Sequence, residues 1–157
     1  IVVHGGLIGA ARSPEELAGI LAHEISHVLE RHSVRQMLFQ LGLFASLRLM
    51  TGAPDGALDT IAGAGARLGS LQFSRDQERA ADRGAVELLE KARLAVRLAP
   101  FFERLARDEE KLPALLSTHP SGEERARRLK EIEAGARWEV RPLGIDWKAA
   151  QADPALR

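Results

Sequence analysis

One helix-start pattern occurs three times and constrains the fold of this 157-residue chain more than any other feature. Ser13, Ser74 and Ser121 each precede a Glu or Gln by three residues, which is the spacing of a capping box. Pro14 follows the first of these serines, and proline suits the first position of a helix. The predicted helices run from Pro14 into the low thirties, from Arg75 to Lys91, from Leu94 to Glu110, and from the Ser121 box through Ala134. Pro100 must either start or kink the third of these helices, and the sequence leaves both possibilities open.

Two apolar segments complete the predicted architecture. Ile1 to Ile8 is short and β-branched with two central glycines, which predicts a strand with a bulge or turn. Met37 to Met50 is strongly apolar but shorter than the roughly 20 residues that span a bilayer, so it predicts a buried or membrane-contacting helix. The predicted fold class is therefore mainly α with a small β element.

Composition excludes several function classes. The 22 basic residues balance the 22 acidic ones, which excludes a nucleic-acid binder driven by bulk charge. The chain has no cysteine, so a disulfide scaffold and thiolate ligands are excluded, and a metal must be held by His, Asp or Glu. It begins at Ile1 with no leader pattern, which suggests a processed or excised piece.

The sequence His23-Glu24-Ile25-Ser26-His27 lies in the middle of the first predicted helix. At about 100° per residue, His23 and His27 lie on one face one turn apart, where two imidazoles can bind one Zn²⁺. Glu24 lies further round the helix, where it can reach a water on the metal and take its proton. This spacing predicts a catalytic zinc with Glu24 as the general base.

Two residues compete for the position of third ligand. On an unbroken helix His32 lies about 140° from His27, so a helix-end or surface histidine is the favoured interpretation of His32. Glu78 and Asp82 share one face of the helix that starts after Ser74. Glu78 is predicted to bind the metal, and Asp82 to accept the free ring N–H of one liganding histidine.

Three segments resemble a known family. PEELAGILAHEISHVLERH from Pro14, SRDQERAAD from Ser74 and LSTHPSGEERARRL from Leu116 are similar to the gluzincin-type zinc peptidases that include HtpX, the CAAX prenyl endoprotease and the Oma-type proteases. The resemblance implies a zincin-like core with an HExxH active-site helix and one zinc per chain. It also implies that His119 lies near the metal and stabilises the oxyanion.

The resemblance also sets expectations about the chain as a whole. It implies a zinc endopeptidase core over residues 1–134, an extended tail over 135–157, and a location in the cell envelope, membrane-associated or periplasmic. The substrate would be an unfolded or membrane-associated polypeptide, and Met37 to Met50 could touch a membrane surface. Family members carry an edge strand before Ile1, where substrate would pair. The oligomeric state has no sequence signal.

An alternative function follows from the segment Thr51 to Ser70, whose Gly and Ala content suits a mobile lid. If that lid plugs the cleft, the chain is a zinc-binding chaperone-like or adaptor domain that turns over little substrate.

Other residues carry weaker signals. His4 is predicted to be a packed or surface histidine, and Trp138 and Trp147 to anchor the tail. The basic residues of the last long helix alternate with glutamates, so a solvated face is predicted for Arg125, Arg127, Arg128 and Lys130.

Overall fold

The computed structural model describes residues 1–51, 73–107, 115, 118, 119 and 123–154. The helices with described bounds are α1 (Gly5–Ala10), α2 (Pro14–Leu29), α3 (His32–Thr51), α4 (Arg75–Ala92), α5 (Ala99–Arg107), α6 (Glu123–Gly135) and α7 (Trp147–Ala152). The mainly helical prediction is confirmed. No strand occurs among the described residues.

The serine caps start two of the helices as predicted. Ser13 Oγ accepts the N–H of Glu16 at 3.2 Å at the start of α2. At the start of α4, Ser74 Oγ accepts the N–H of Gln77 at 3.2 Å, and Gln77 Oε1 accepts the N–H of Ser74 at 2.9 Å. The α2 box is incomplete, because Glu16 Oε2 accepts the N–H of Arg12 at 2.8 Å instead. Ser121 and all of the predicted lid after Thr51, the last residue of α3, lie outside the described residues.

The strand predicted over Ile1 to Ile8 is wrong, because residues 1–4 have no regular structure and Gly5–Ala10 is helical. A lone strand leaves its backbone polar groups unpaired, and the described part of the chain offers it no partner strand. A short helix pairs some of its backbone N–H and C=O groups with each other. It also turns Leu7 and Ala10 toward the hydrophobic core.

Pro100 is the second residue of α5, so it begins that helix rather than kinking it. The helix is shorter than predicted, because residues 94–98 have no regular structure and residues 108–110 lie outside the described part. Glu133 Oε1 of α6 accepts the N–H of Ala99 at 2.8 Å and so caps α5 from a neighbouring helix.

The core lies where α2 packs on α4 and α5 packs on α6. It consists of small and large apolar side chains from all four helices and from the segment before α5: Ile20, Ala22, Ala85, Leu89, Val96, Leu98, Ala99, Phe101, Phe102, Leu105 and Leu129. Gly84 lets α2 and α4 approach closely, because a Cβ at this position would lie 2.8 Å from Ser26 Oγ. The close contact brings the His23–His27 turn of α2 against the Glu78–Asp82 turn of α4.

Helix α3 and the segment after α6 lie largely outside this core. Most of α3 is exposed, including the large apolar side chains of Met37, Leu38, Phe39, Leu41, Leu43, Leu49 and Met50. After α6 the chain runs without regular structure over residues 136–146 and then forms α7. Trp138 and Trp147 anchor this tail as predicted, by donating their indole N–H groups to the carbonyls of Leu94 at 2.9 Å and Ala11 at 3.0 Å.

Candidate metal centre

Four buried side chains from three parts of the chain converge on one point. His23 and His27 come from α2, Glu78 from α4, and His119 from the segment before α6. One nitrogen or oxygen atom of each lies within 4.8 Å of the corresponding atoms of the others. The structure therefore brings together both predicted histidine ligands, the predicted glutamate ligand and the predicted oxyanion donor.

The spacing of these atoms fits a tetrahedral cation. Two ligand atoms at about 2.1 Å from one zinc ion lie about 3.4 Å apart. His23 Nε2 lies 3.4 Å from Glu78 Oε2 and 3.0 Å from His27 Nε2, and His27 Nε2 lies 3.3 Å from Glu78 Oε1. Two imidazole nitrogens that face each other at this distance are compatible when a cation lies between them. The residues present therefore fit a metal ion.

The pKa shifts of two side chains in this cluster, Glu78 and His27, favour the forms that bind metals. Burial alone would raise the pKa of Glu78, but hydrogen bonds from His119, His23 and His27, together with Arg125, hold that pKa well below its usual range. Burial lowers the pKa of the His27 imidazole. These shifts favour the carboxylate form of Glu78 and the neutral imidazole form of His27, as metal binding requires.

Asp82 lies on the other side of His23. Its Oδ1 lies 3.1 Å from His23 Nδ1, so the His23 ring meets a carboxylate at each nitrogen. Burial opposes the charged form of His23, but the hydrogen bonds with Asp82 and Glu78 outweigh it and raise the His23 pKa. Burial likewise opposes the Asp82 anion, yet His23 and Arg125 lower the pKa of Asp82 to about 2.

Arg125 was predicted to be solvated, and that prediction is wrong. The residue is 5% exposed, with Nη1 at 2.6 Å from Glu78 Oε2 and Nη2 at 2.8 Å from Asp82 Oδ1. Its guanidinium carbon lies 3.9 Å from the centre of the Phe102 ring. Arg128 also reaches Asp82, at 3.1 Å, while Arg127 and Lys130 are exposed as predicted. Alternating charge indicated a polar helix face, but only the fold shows that the face covers two buried carboxylates.

Glu24 lies at the edge of the cluster. Its Oε1 is buried and accepts no hydrogen bond within the described part of the chain, and His119 Nε2 lies 3.4 Å away. The opposite nitrogen of the same ring, His119 Nδ1, lies 2.9 Å from Glu78 Oε1. Phe73 covers the imidazoles, with its ring centre 4.1 Å from that of His27 and 5.1 Å from that of His119.

His32 was predicted to be a surface or helix-end histidine. It is the first residue of α3, but it is buried, with 3% of its surface exposed. Its Nδ1 lies 2.9 Å from His27 Nδ1, which is the nitrogen of His27 that faces away from Glu78. The prediction assumed an unbroken helix, whereas the structure turns a corner at Arg31. His4 is exposed and lies outside the cluster.

Comparison with known proteins identifies the family of the chain. The sequence profile of peptidase family M48 matches residues 1–133. The chain belongs to this family. It therefore carries a metalloendopeptidase domain, which confirms the resemblance noted from its three motifs.

The M48 chain is similar in sequence to several named proteases. It is 37% identical over 139 residues to the putative beta-barrel assembly-enhancing protease of Vibrio cholerae, covering 80% of this chain and 29% of that protein. It is 32% identical to the beta-barrel assembly-enhancing protease of Escherichia coli, with 80% and 28% covered. It is 35% identical to the mitochondrial metalloendopeptidase OMA1 of Arabidopsis thaliana, with 83% and 27% covered.

The M48 chain thus spans less than a third of the length of these relatives. No solved structure matches it significantly. No helix among the described residues is long and apolar enough to cross a membrane.

Proposed function

We propose that this M48 domain is a zinc-dependent endopeptidase that hydrolyses peptide bonds of unfolded or membrane-associated proteins. The observation that carries the proposal is the convergence of three imidazoles and one carboxylate at distances that suit one tetrahedral ion. His23, His27 and Glu78 would hold the ion. Zinc is favoured because histidine and carboxylate ligands in a tetrahedral arrangement are typical of catalytic zinc sites.

In this proposal each remaining residue has a distinct task. A zinc ion held by these residues would supply Lewis-acid chemistry, polarising the scissile carbonyl and lowering the pKa of water. Glu24 accepts the proton of the attacking water and gives it to the leaving amine, and its buried Oε1 supports this role. His119 donates a hydrogen bond to the oxyanion. Asp82 accepts the Nδ1–H of His23 and so keeps Nε2 free for the metal.

The test compares the parent domain with Glu24→Gln and with a matched control, Glu87→Gln. Glu87 lies exposed on α4, so its substitution leaves the cluster intact. Zinc content is measured by metal analysis, and cleavage with unfolded casein. We expect one zinc in all three proteins and cleavage in the parent and the control only. Zinc without cleavage in the parent would favour the chaperone-like or adaptor alternative, and a parent that binds no zinc would exclude both.

We further propose that α3 contacts a membrane surface in the cell envelope. Seven large apolar residues between Met37 and Met50 are exposed, and no acidic residue occurs between Glu30 and Asp55. Exposed apolar side chains are stabilised by burial in a bilayer, and basic residues are attracted to anionic headgroups. The names of the bacterial relatives, which concern beta-barrel assembly, support an envelope setting.

Vesicle flotation tests the membrane proposal. A double variant, Leu38→Ser with Phe39→Ser, should lose binding to vesicles that contain anionic phospholipid. The control, Val140→Ser with Ile145→Ser, removes two exposed apolar residues of the tail and should bind like the parent. Equal binding by both double variants would contradict a role for α3.

The division of the chain into a catalytic core over 1–134 and a tail over 135–157 stays a prediction. A chain ending at residue 134 that keeps zinc and cleavage would support it.

A further inference from the structure

The corner between α2 and α3 brings a histidine back to the metal cluster. Helix α2 ends at Leu29, Glu30 caps it, and Arg31 adopts φ +53° before α3 begins at His32. A left-handed residue commonly ends a helix, and Arg93 ends α4 in the same way with φ +56°.

The corner places the two nitrogens of His27 in different surroundings. His27 Nε2 faces the cluster, at 3.3 Å from Glu78 Oε1 and 3.0 Å from His23 Nε2. His27 Nδ1 faces His32 Nδ1 at 2.9 Å, and the two rings meet edge to face with an interplanar angle of 71°. One proton must lie between the two Nδ1 atoms for this contact to be a hydrogen bond.

We propose that His32 is a positioning residue that fixes the tautomer and the ring orientation of His27 for metal binding. The inference rests on the proposed zinc site. Of the two ways to place the shared proton, only a proton on His27 Nδ1 leaves a lone pair on His27 Nε2 for the metal. His32 Nδ1 must then accept the hydrogen bond, and the proton of the neutral His32 ring lies on its own Nε2.

Asp82 would orient the His23 ring as His32 orients the His27 ring. His23 Nδ1 lies 3.1 Å from Asp82 Oδ1, while His27 Nδ1 meets the imidazole of His32. Both ligand rings are thus held at the nitrogen that faces away from the metal. Such partners typically contribute 10- to 100-fold, in round figures, to metal affinity or activity.

Two substitutions at position 32 separate acceptance of this hydrogen bond from packing. His32→Leu keeps an apolar volume but removes the acceptor. His32→Asn keeps an acceptor, because its Oδ1 occupies nearly the position of His Nδ1. His4→Leu is the matched control, because it removes a histidine that is exposed at the start of α1.

Zinc affinity, measured by competition with a chromogenic chelator, is the first readout. We expect His32→Leu to weaken zinc binding roughly 10- to 100-fold. His32→Asn should stay within about threefold of the parent, and His4→Leu should be unchanged. Equal zinc affinity of His32→Leu and the parent would overturn the inference but leave the proposed function intact. A parent that binds no zinc would overturn both.

The ring protons give a second readout that does not depend on any variant folding. Nitrogen-15 NMR of the histidine rings in the zinc-loaded parent should show His27 protonated at Nδ1 and His32 protonated at Nε2. A His32 ring protonated at Nδ1 would overturn the proposal, because it could not accept from His27.

Discussion

Arg125 is the side chain that holds the two buried carboxylates of the metal centre together. It contacts Glu78 at 2.6 Å and Asp82 at 2.8 Å, and it stacks on Phe102. Leaving buried charges without their partner costs several kcal/mol, because neither carboxylate can regain its hydration. The planar guanidinium suits this position better than a lysine, since it reaches both acids while lying flat on the ring.

The variant Arg125→Leu tests this interpretation. We expect it to lower the free energy of unfolding of the metal-free protein by about 3–5 kcal/mol. The loss should be smaller in the zinc-loaded protein, because a divalent cation then supplies positive charge beside Glu78. Urea denaturation of both forms measures the difference. The exposed neighbour gives a control, Arg127→Leu, which should change stability by less than about 0.5 kcal/mol.

His119 allows two chemical roles to be distinguished by one variant. If His119 donates a hydrogen bond to the oxyanion, His119→Phe should reduce turnover by about 10²- to 10³-fold and leave zinc bound. Parallel measurements of casein cleavage and zinc affinity check this expectation. A fall in zinc affinity comparable to that of His27→Ala would instead identify His119 as a fourth ligand, which its Nδ1 contact with Glu78 also permits.

At the residue scale the sequence predicted which side chains form the candidate metal centre. It did not predict all the side chains that contact them. His23, His27, Glu78, Asp82 and His119 lie together because helical spacing and three recognisable motifs carry that information. Arg125 was missed because its neighbours are solvated charges. His32 was misplaced because the left-handed residue before it is arginine, which gives no sequence signal for a helix break.

At the scale of helices, the contact between α2 and α4 decides the geometry of the cluster. Two of the proposed ligands lie on α2 and one on α4, so the separation of these helices sets the distances among His23, His27 and Glu78. The contact depends on Gly84, where an added Cβ would lie 2.8 Å from Ser26 Oγ and 3.1 Å from Ser26 Cβ. Ser26 itself is held, since its hydroxyl donates to the carbonyl of Ala22 at 2.8 Å.

Gly84→Ala should therefore destabilise the protein although alanine favours helices. Overpacking of this kind costs about 1–3 kcal/mol, more than the roughly 1 kcal/mol that alanine contributes to a helix. It should also weaken zinc binding, because α4 must move away from α2. Thermal unfolding and chelator competition measure both effects. Gly42→Ala is the control, since a Cβ there meets nothing within 4 Å and should stabilise α3.

The helix starts were predicted more reliably than the ends and corners. Serine caps are local signals that act within one turn, and they start α2 and α4 as predicted. Pro100 left open whether it starts or kinks its helix, and only the structure shows that it lies at the start of α5. The error over Ile1 to Ile8 has a non-local cause. β-Branched residues favour a strand only where a partner strand is available, and here the core accepts Leu7 and Ala10 from a helix instead.

At the scale of the whole domain, a metal at this site would join α2, α4 and the segment that contains His119. Binding to the folded state alone stabilises it by about 4 kcal/mol when the free zinc concentration is roughly 1,000 times the dissociation constant. Removing zinc with a chelator should therefore lower the midpoint of thermal unfolding by several degrees. Added zinc should restore it in the parent but not in a His23→Ala, His27→Ala double variant.

The two ends of the described chain are fastened to each other. Trp147 Nε1 and Gln151 Nε2 of α7 donate to the carbonyls of Ala11 and Ile8 at the end of α1, across 136 to 143 residues of chain. Closing so long a loop costs entropy before these few hydrogen bonds can form. Because α7 has no buried residue, we expect its fastening to α1 to open locally before the helices that enclose the metal cluster separate.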